Sequence, residues 1–389
     1  MSRADWSLAP IGVHDRSQRA HLMVAACTIV ASALTVAAIV RSMAPPQDDQ
    51  ANLLYMSLHA WPPSFDGGVS ARLLARIAGW LVSTDPVVHN TVLRSLSAVL
   101  CLTGVSAALW ATGVSVRIWL LCFTVFLGSG QVLLWSADVL VIAGIAWLAY
   151  TAWTHGHVLA LVPAGWLLTF AKPDLFVPGL ALSVGAVVSV RQREQVRDGL
   201  IVMAAIAVTF LLALGATEAG DRATFSFGQH YARLMHPAAD GFAEWERILT
   251  ADFGRVVTVD EVITAHPAVY LAFVWRSFCF SLNVISKRGL WPLLALGIWG
   301  AWRTRSEPFT ISAAIFTLIS AALITLFAFL HYRYAGRFIV LALLLIARAL
   351  AQSRDRPFRL AAFTALTLTF LWQSVWWPSA FWNGEFLPD

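Results

Sequence analysis

"LMVAACTIVASALTVAAIV" fills residues 22–40 without a single charge. At 1.5 Å of rise per residue, this 19-residue run is long enough as a helix to cross a hydrocarbon core of roughly 30 Å. Runs of this kind recur along the 389 residues, and they decide the fold class. The chain is 58% hydrophobic and only 13% charged, against about 25% charged in an average soluble domain. Its mean hydropathy is +0.69. A soluble globular domain does not have this composition. An outer-membrane barrel would show short alternating segments instead. The sequence therefore predicts an all-α, polytopic membrane protein.

Eleven spans are expected, near 22–41, 92–112, 116–135, 138–154, 158–171, 173–190, 199–216, 289–302, 310–330, 337–350 and 360–377. The fifth, sixth, eighth and tenth are short or share a hinge. The first has neither the length of a signal h-region nor a clear small-residue cleavage site, so no cleavable signal peptide is expected. Cys27, Cys101 and Cys122 fall inside expected spans and Cys279 lies near one, and no CxxC knuckle is present. The net charge of +5 reports loop bias before it reports any nucleic-acid partner. "RQREQVR" (191–197), "RTR" (303–305), "RDRPFR" (354–359) and Arg3, Arg16 and Arg19 share one side if the spans alternate. By the positive-inside rule that side is cytoplasmic. It then carries 13 basic and 6 acidic residues, against 14 and 16 on the other side. The N-terminus is expected in the cytoplasm and the C-terminus outside.

The outer side also holds the long segments. The first, 41–91, contains Asp48 and Asp49 directly after Pro45 and Pro46, and then "VSARLLARIAGWLV" (69–82). In that stretch Val69, Leu73, Leu74, Ile77 and Leu81 recur at helical spacing, with Arg72 and Arg76 one turn apart. The pattern predicts a helix lying in the membrane interface. The second, 217–288, contains "FSFGQHYARLMHP". The C-terminal "WQSVWWPSAFWNG" ends on the same face, with tryptophans suited to the headgroup belt.

Several polar groups in these surroundings carry chemistry. Asp48 and Asp49 either cap a helix beginning near Gln47 or act on a substrate. Two adjacent carboxylates shift each other's pKa, which suits one of them to take a proton from a hydroxyl, or both to hold a divalent ion. In "FAFLHYRYAGRFIV" (327–340), His331, Tyr332, Arg333, Tyr334 and Arg337 form a polar knot between two apolar spans. They either snorkel to lipid headgroups or grip a phosphate. In "TFAKPDLFVPG" (169–179), Lys172, Pro173 and Asp174 mark a tight turn, and a Lys172–Asp174 salt bridge within it is the simplest reading. Asp138 is expected to cap the helix that follows it and faces the same side. Arg94 snorkels or pairs with an acid. His59, His230, His236, His266 and His331 map to the outer side without metal-ligand spacing. Walker A, GxGxxG and GxSxG motifs are absent.

Together these stretches resemble the GT-C superfamily of integral membrane glycosyltransferases, in particular its protein mannosyltransferase and aminoarabinose transferase branch. "PPQDDQANLLY" (45–55) is similar to that family's acidic outer-loop motif, and "VLRSLSAVL" (92–100) to the Arg-bearing start of its second span. "LLTFAKPDLFV" (167–177) resembles its mid-chain Lys/Arg-Pro turn, and "HYRYAGRF" (331–338) its late Arg-Tyr turn. "FSFGQHYA" (225–232) and "DFGRVVTVDEVITAHPAVY" (252–270) resemble pieces of its long outer loop. The chain departs from the pattern in having Asp49 where many relatives have Glu. It also has Ala335-Gly336 where a proline usually lies near the Arg-Tyr turn.

The resemblance implies a single transmembrane glycosyltransferase-like domain over 1–389, working in a bacterial inner membrane with its active site on the periplasmic face. It implies a polyprenyl-phosphate-linked sugar as donor and a glycan, lipid or protein hydroxyl as acceptor. Asp48 and Asp49 would be catalytic, and would also be the ligands of a divalent ion if one is used. Arg333, Tyr334, Lys172 and Arg94 would bind the donor phosphate. Tyr55, His331 and Asp138 would contact the acceptor or support residues that do. The rival readings are a secondary transporter, for which no inverted repeat is visible, a polysaccharide polymerase or ligase of envelope assembly, and an inactive scaffold.

Overall fold

The structure is a computed structural model. It describes residues 18–42, 54–55, 69–82, 85–134, 136–154, 156, 160–190, 197–201, 203–204, 219–238, 240, 243–328 and 330–383. Among the described residues every regular element is helical. These elements are α1 (Gln18–Ser42), α2 (Val69–Leu81), α3 (Pro86–Ala111), α4 (Val116–Gly128), α5 (Ser136–Thr154), α6 (Leu161–Thr169), α7 (Phe176–Ser189), α8 (Ala219–Met235), α9 (Trp245–Phe253), α10 (Val259–Ala265), α11 (Pro267–Lys287), α12 (Trp291–Arg303), α13 (Pro308–Phe327), α14 (Tyr332–Gln352) and α15 (Arg356–Asn383).

Six of these helices, α1, α3, α5, α11, α13 and α14, are long and apolar enough to cross a membrane. The chain is therefore a helical, multi-pass membrane protein. Five of the six fall on expected spans. The spans expected at 116–135 and 173–190 correspond to the shorter apolar helices α4 and α7. Those expected at 158–171 and 289–302 correspond to the nine-residue α6 and the thirteen-residue α12. The last expected span lies inside α15, and most of 199–216 lies outside the described residues.

α11 lies in the segment 217–288, expected as an outer loop. Its partners explain how a long apolar helix fits there. Tyr270 Oη donates to the Leu326 carbonyl, Ser277 Oγ donates to the Ala328 carbonyl, and Ser281 Oγ accepts from the Leu330 amide. α11 thus follows the turn between α13 and α14. Its inner face closes a second apolar core with α8, α9 and α10, built on Phe227, Tyr231, Leu249, Val262 and Phe273.

The main core runs through α3, α5, α6, α7, α12, α13 and α14. Lipid offers no hydrophobic drive between helices, so close packing and interhelical hydrogen bonds carry the assembly. α1 meets α3 through the Thr28 and Ser106 hydroxyls, 2.6 Å apart. α12 meets α14 at Gly300, where an added Cβ would lie 2.8 Å from the Leu345 carbonyl oxygen.

One end of the bundle is tied by Glu307 in front of α13. Arg348 Nε donates to its Oε1 at 2.9 Å and Trp153 Nε1 to its Oε2 at 3.1 Å. Arg348 Nη1 also donates to the Thr112 carbonyl, and Arg303 pairs with Asp355 at the same end. The helix predicted at 69–82 is α2, but its faces are divided in an informative way. Arg72, Ala75 and Ala78 turn inward and are buried, while Ile77, Trp80 and Leu81 are exposed. Ile77, Trp80 and Leu81 are left outside, and Ala75, with Leu74 beside it, lets the helix approach Leu93 and Leu140.

Candidate functional site

At the bundle end opposite Glu307, three helices begin close together. Asp138 is in the first turn of α5, Lys172 and Asp174 lie in the turn before α7, and Arg333, Tyr334 and Arg337 are in the first turns of α14. Helix N-termini carry partial positive charge, so acids placed there are stabilised and anions are attracted. Proline at 173 and the brevity of α6 set the turn that delivers Lys172 and Asp174.

The side chains are arranged around the Tyr334 ring. Lys172 Nζ lies 4.5 Å from its centroid, the Arg333 guanidinium 5.0 Å and the Arg337 guanidinium 5.4 Å. Arg333 Nη2 also donates to the Tyr334 hydroxyl at 3.1 Å. Three cations this close repel one another, and two carboxylates offset part of that charge. Lys172 pairs with Asp138 Oδ1. Arg337, only 2% exposed, donates through Nη1 to Asp174 Oδ2 at 3.0 Å. Desolvation by the surrounding protein would raise the Asp174 carboxyl. The charges of Arg337 and Lys172, with the Arg337 hydrogen bond, outweigh it and hold the group below its ordinary value.

His331, at the N-cap of α14, sets its ring 5.7 Å from Tyr334 and 5.8 Å from His230 of α8. Burial, followed by the charges of Arg333, His230, Arg233 and Lys172, holds its imidazole well below the usual histidine value. The neighbouring turn is fixed by Gln131, which donates through Nε2 to the Tyr332 carbonyl at 3.1 Å, and by Tyr332, which donates to the Ser129 carbonyl at 2.6 Å. Gly336 permits this packing, since a Cβ there would lie 2.5 Å from Gln131 Oε1. That is a physical reason for glycine in the Ala335-Gly336 pair.

Comparison of the chain with protein-family models, curated proteins and solved structures finds no match. The site is therefore read from its own chemistry.

Five of the sequence-predicted site residues, Asp138, Lys172, His331, Arg333 and Tyr334, come together in this cluster. Arg94 serves the adjacent turn, donating through Nη2 to the Leu133 carbonyl at 2.6 Å. Tyr55 is exposed, while its neighbour Leu54 is buried against Leu93 and Leu140. Asp48 and Asp49 lie outside the described residues. Among the described residues no three His, Cys, Asp or Glu side chains are placed to hold a metal ion.

Two expectations are corrected. The Lys172–Asp174 turn bridge does not form, because residues two apart do not face each other here. Lys172 turns to Asp138 and Asp174 to Arg337. Asp138 is the third residue of α5 rather than the residue before it, and its carboxylate serves the ion pair. The partnership of Asp174 with Arg337 joins residues 163 apart and was not read from the sequence. The available signal was Arg337 itself, a charge set among apolar residues of a candidate membrane span, which calls for a partner. His230 and Gln131 had no signal of that kind.

Chemically, the cluster is a group of cations with a hydroxyl and forked guanidinium donors at one end of the bundle. That combination suits an anion with several oxygens, such as a phosphate.

Proposed function

We propose that the chain is an integral membrane glycosyltransferase with a GT-C-like, eleven-span plan. It would move a sugar from a polyprenyl-phosphate donor to an acceptor hydroxyl. The observation that carries the reading is the convergence of Lys172, Arg333 and Tyr334 from distant parts of the chain at one bundle end. A donor phosphate there has a fixed cationic partner, while its prenyl chain lies between helices, each buried CH₂ contributing about 0.8 kcal/mol. As the glycosyl bond breaks, negative charge grows on the leaving phosphate. Fixed cations then stabilise the transition state more than the ground state.

Asp48 takes the proton of the attacking hydroxyl in this reading, and Asp49 positions the acceptor or holds a divalent ion. A single displacement inverts the anomeric centre. In this reading the basic loops and the N-terminus face the cytoplasm by the positive-inside rule, and the GT-C resemblance implies a bacterial inner membrane with the cluster toward the periplasm.

The test is turnover of a panel of radiolabelled polyprenyl-phosphate sugars by the purified chain. Transfer from at least one donor, abolished in Asp48→Asn without loss of expression, is expected. No turnover of any donor, together with substrate flux in proteoliposomes, would favour the transporter reading instead.

A further inference from the structure

The contact between His230 and His331 has no part in the transfer chemistry just described, yet it touches the proposed phosphate site directly. His331 is 8% exposed and His230 is 6% exposed. His230 Nδ1 is 2.6 Å from the Ser226 carbonyl oxygen of its own helix. The groups around His331 are predominantly positive. From α8 come His230 and Arg233, from α14 Arg333 and Tyr334, and from the turn before α7 Lys172. Asp138 and Asp174 are engaged by Lys172 and Arg337.

We infer that an anion entering between Lys172, Arg333 and Tyr334 brings a proton with it, which is received by His331 in contact with His230. The inference rests on reading this cluster as a phosphate site. With the site empty, a proton on His331 would add a cation to a place that already holds Lys172, Arg333 and Arg233, in surroundings with little water. An anion reverses that balance, because opposite charge nearby favours the protonated ring. Linkage then makes the effect reciprocal: protonation strengthens anion binding by the same factor. The sign follows from the unliganded state, in which burial and positive neighbours keep the ring neutral. Binding raises the affinity for the proton, so binding tightens as pH falls.

The probe is a dialkyl phosphate, a diester whose own oxygens do not titrate between pH 5 and 8. It is added to the purified full-length chain in detergent. Calorimetry in two buffers of different ionisation enthalpy is expected to show net proton uptake. Affinity is expected to rise as pH falls, by up to about tenfold per pH unit where the slope is steepest. His331→Gln is expected to bind the diester with this dependence flattened, and His230→Gln to change its midpoint. Binding by the unaltered chain with zero proton uptake would overturn the inference while leaving the phosphate site standing. The same dependence in His331→Gln as in the unaltered chain would also overturn it. A failure of the diester to bind at any pH would overturn both the inference and the phosphate site.

Discussion

At the scale of single residues, the Asp174–Arg337 pair is unequally buried, and that inequality is measurable. Arg337 is 2% exposed while Asp174 is 41% exposed. Removing the acid strands a buried guanidinium, whereas removing the base leaves an acid that water can reach. Asp174→Ala is therefore expected to destabilise the protein by about 2–3 kcal/mol, and Arg337→Leu by distinctly less, both read from thermal unfolding in detergent. Equal losses would deny the asymmetry. The folded-state carboxyl of Asp174 is held below its ordinary value of about 3.9. Its stabilising effect is thus present above that value and is lost as pH falls through the lower, folded one. The stability gap between the native chain and Asp174→Asn should stay level from pH 8 to 5 and close only below about pH 4. Sequence reading reached Lys172, Arg333, Tyr334, His331 and Asp138 because polar residues in apolar surroundings stand out. It misassigned their partners, because a two-residue separation in sequence says little about which way side chains turn.

At the scale of elements, helix existence was legible and helix boundaries and company were less so. The uncharged run at 22–40 became α1, and the spacing at 69–82 became α2. That same spacing did not say which face would be covered: the small residues of α2 turn inward and Ile77, Trp80 and Leu81 remain exposed. α11 falls in the segment expected as an outer loop, and Arg276 interrupts its apolar residues while Lys287 and Arg288 close them. In the structure Arg276 donates to the Leu234 carbonyl at the end of α8, and Arg288 stacks over Tyr332. The close approach of α12 to the backbone of α14 also makes a prediction. Gly300→Ala places a methyl against the Leu345 backbone and is expected to cost about 1–3 kcal/mol, seen as a lower melting temperature. Gly254→Ala meets no neighbour within 4 Å. Its φ of +78° alone sets its cost, at about 1–2 kcal/mol. A Gly300→Ala protein as stable as the native one would contradict the tight α12–α14 contact.

At the scale of the whole molecule, the two bundle ends differ in kind. The Glu307 end is a closed polar knot in which the carboxylate accepts hydrogen bonds from Arg348 and Trp153. The Tyr334 end gathers an excess of cations beneath the second core of α8 to α11. Sequence order announced the pieces but not their meeting, since the turns at 170–175 and 331–337 are far apart in the chain and come together only in the fold, through the Asp174–Arg337 pair and the Lys172–Tyr334 contact. The proposed orientation is testable in a Cys279→Ser background. Cysteine in place of Glu244 is expected to react with a membrane-impermeant maleimide on intact cells, and cysteine in place of Arg354 only after permeabilisation. The reverse pattern would invert the topology. The central claim is that the cluster around Tyr334 holds a lipid phosphate. Its most direct measurement is photolabelling with a prenyl phosphate carrying a diazirine on the isoprene unit next to the phosphate, mapped by mass spectrometry. The account predicts label on peptides containing Lys172 or residues 331–337, reduced several-fold in Arg333→Ala. Label confined to the Glu307 end, or unchanged in Arg333→Ala, would contradict it.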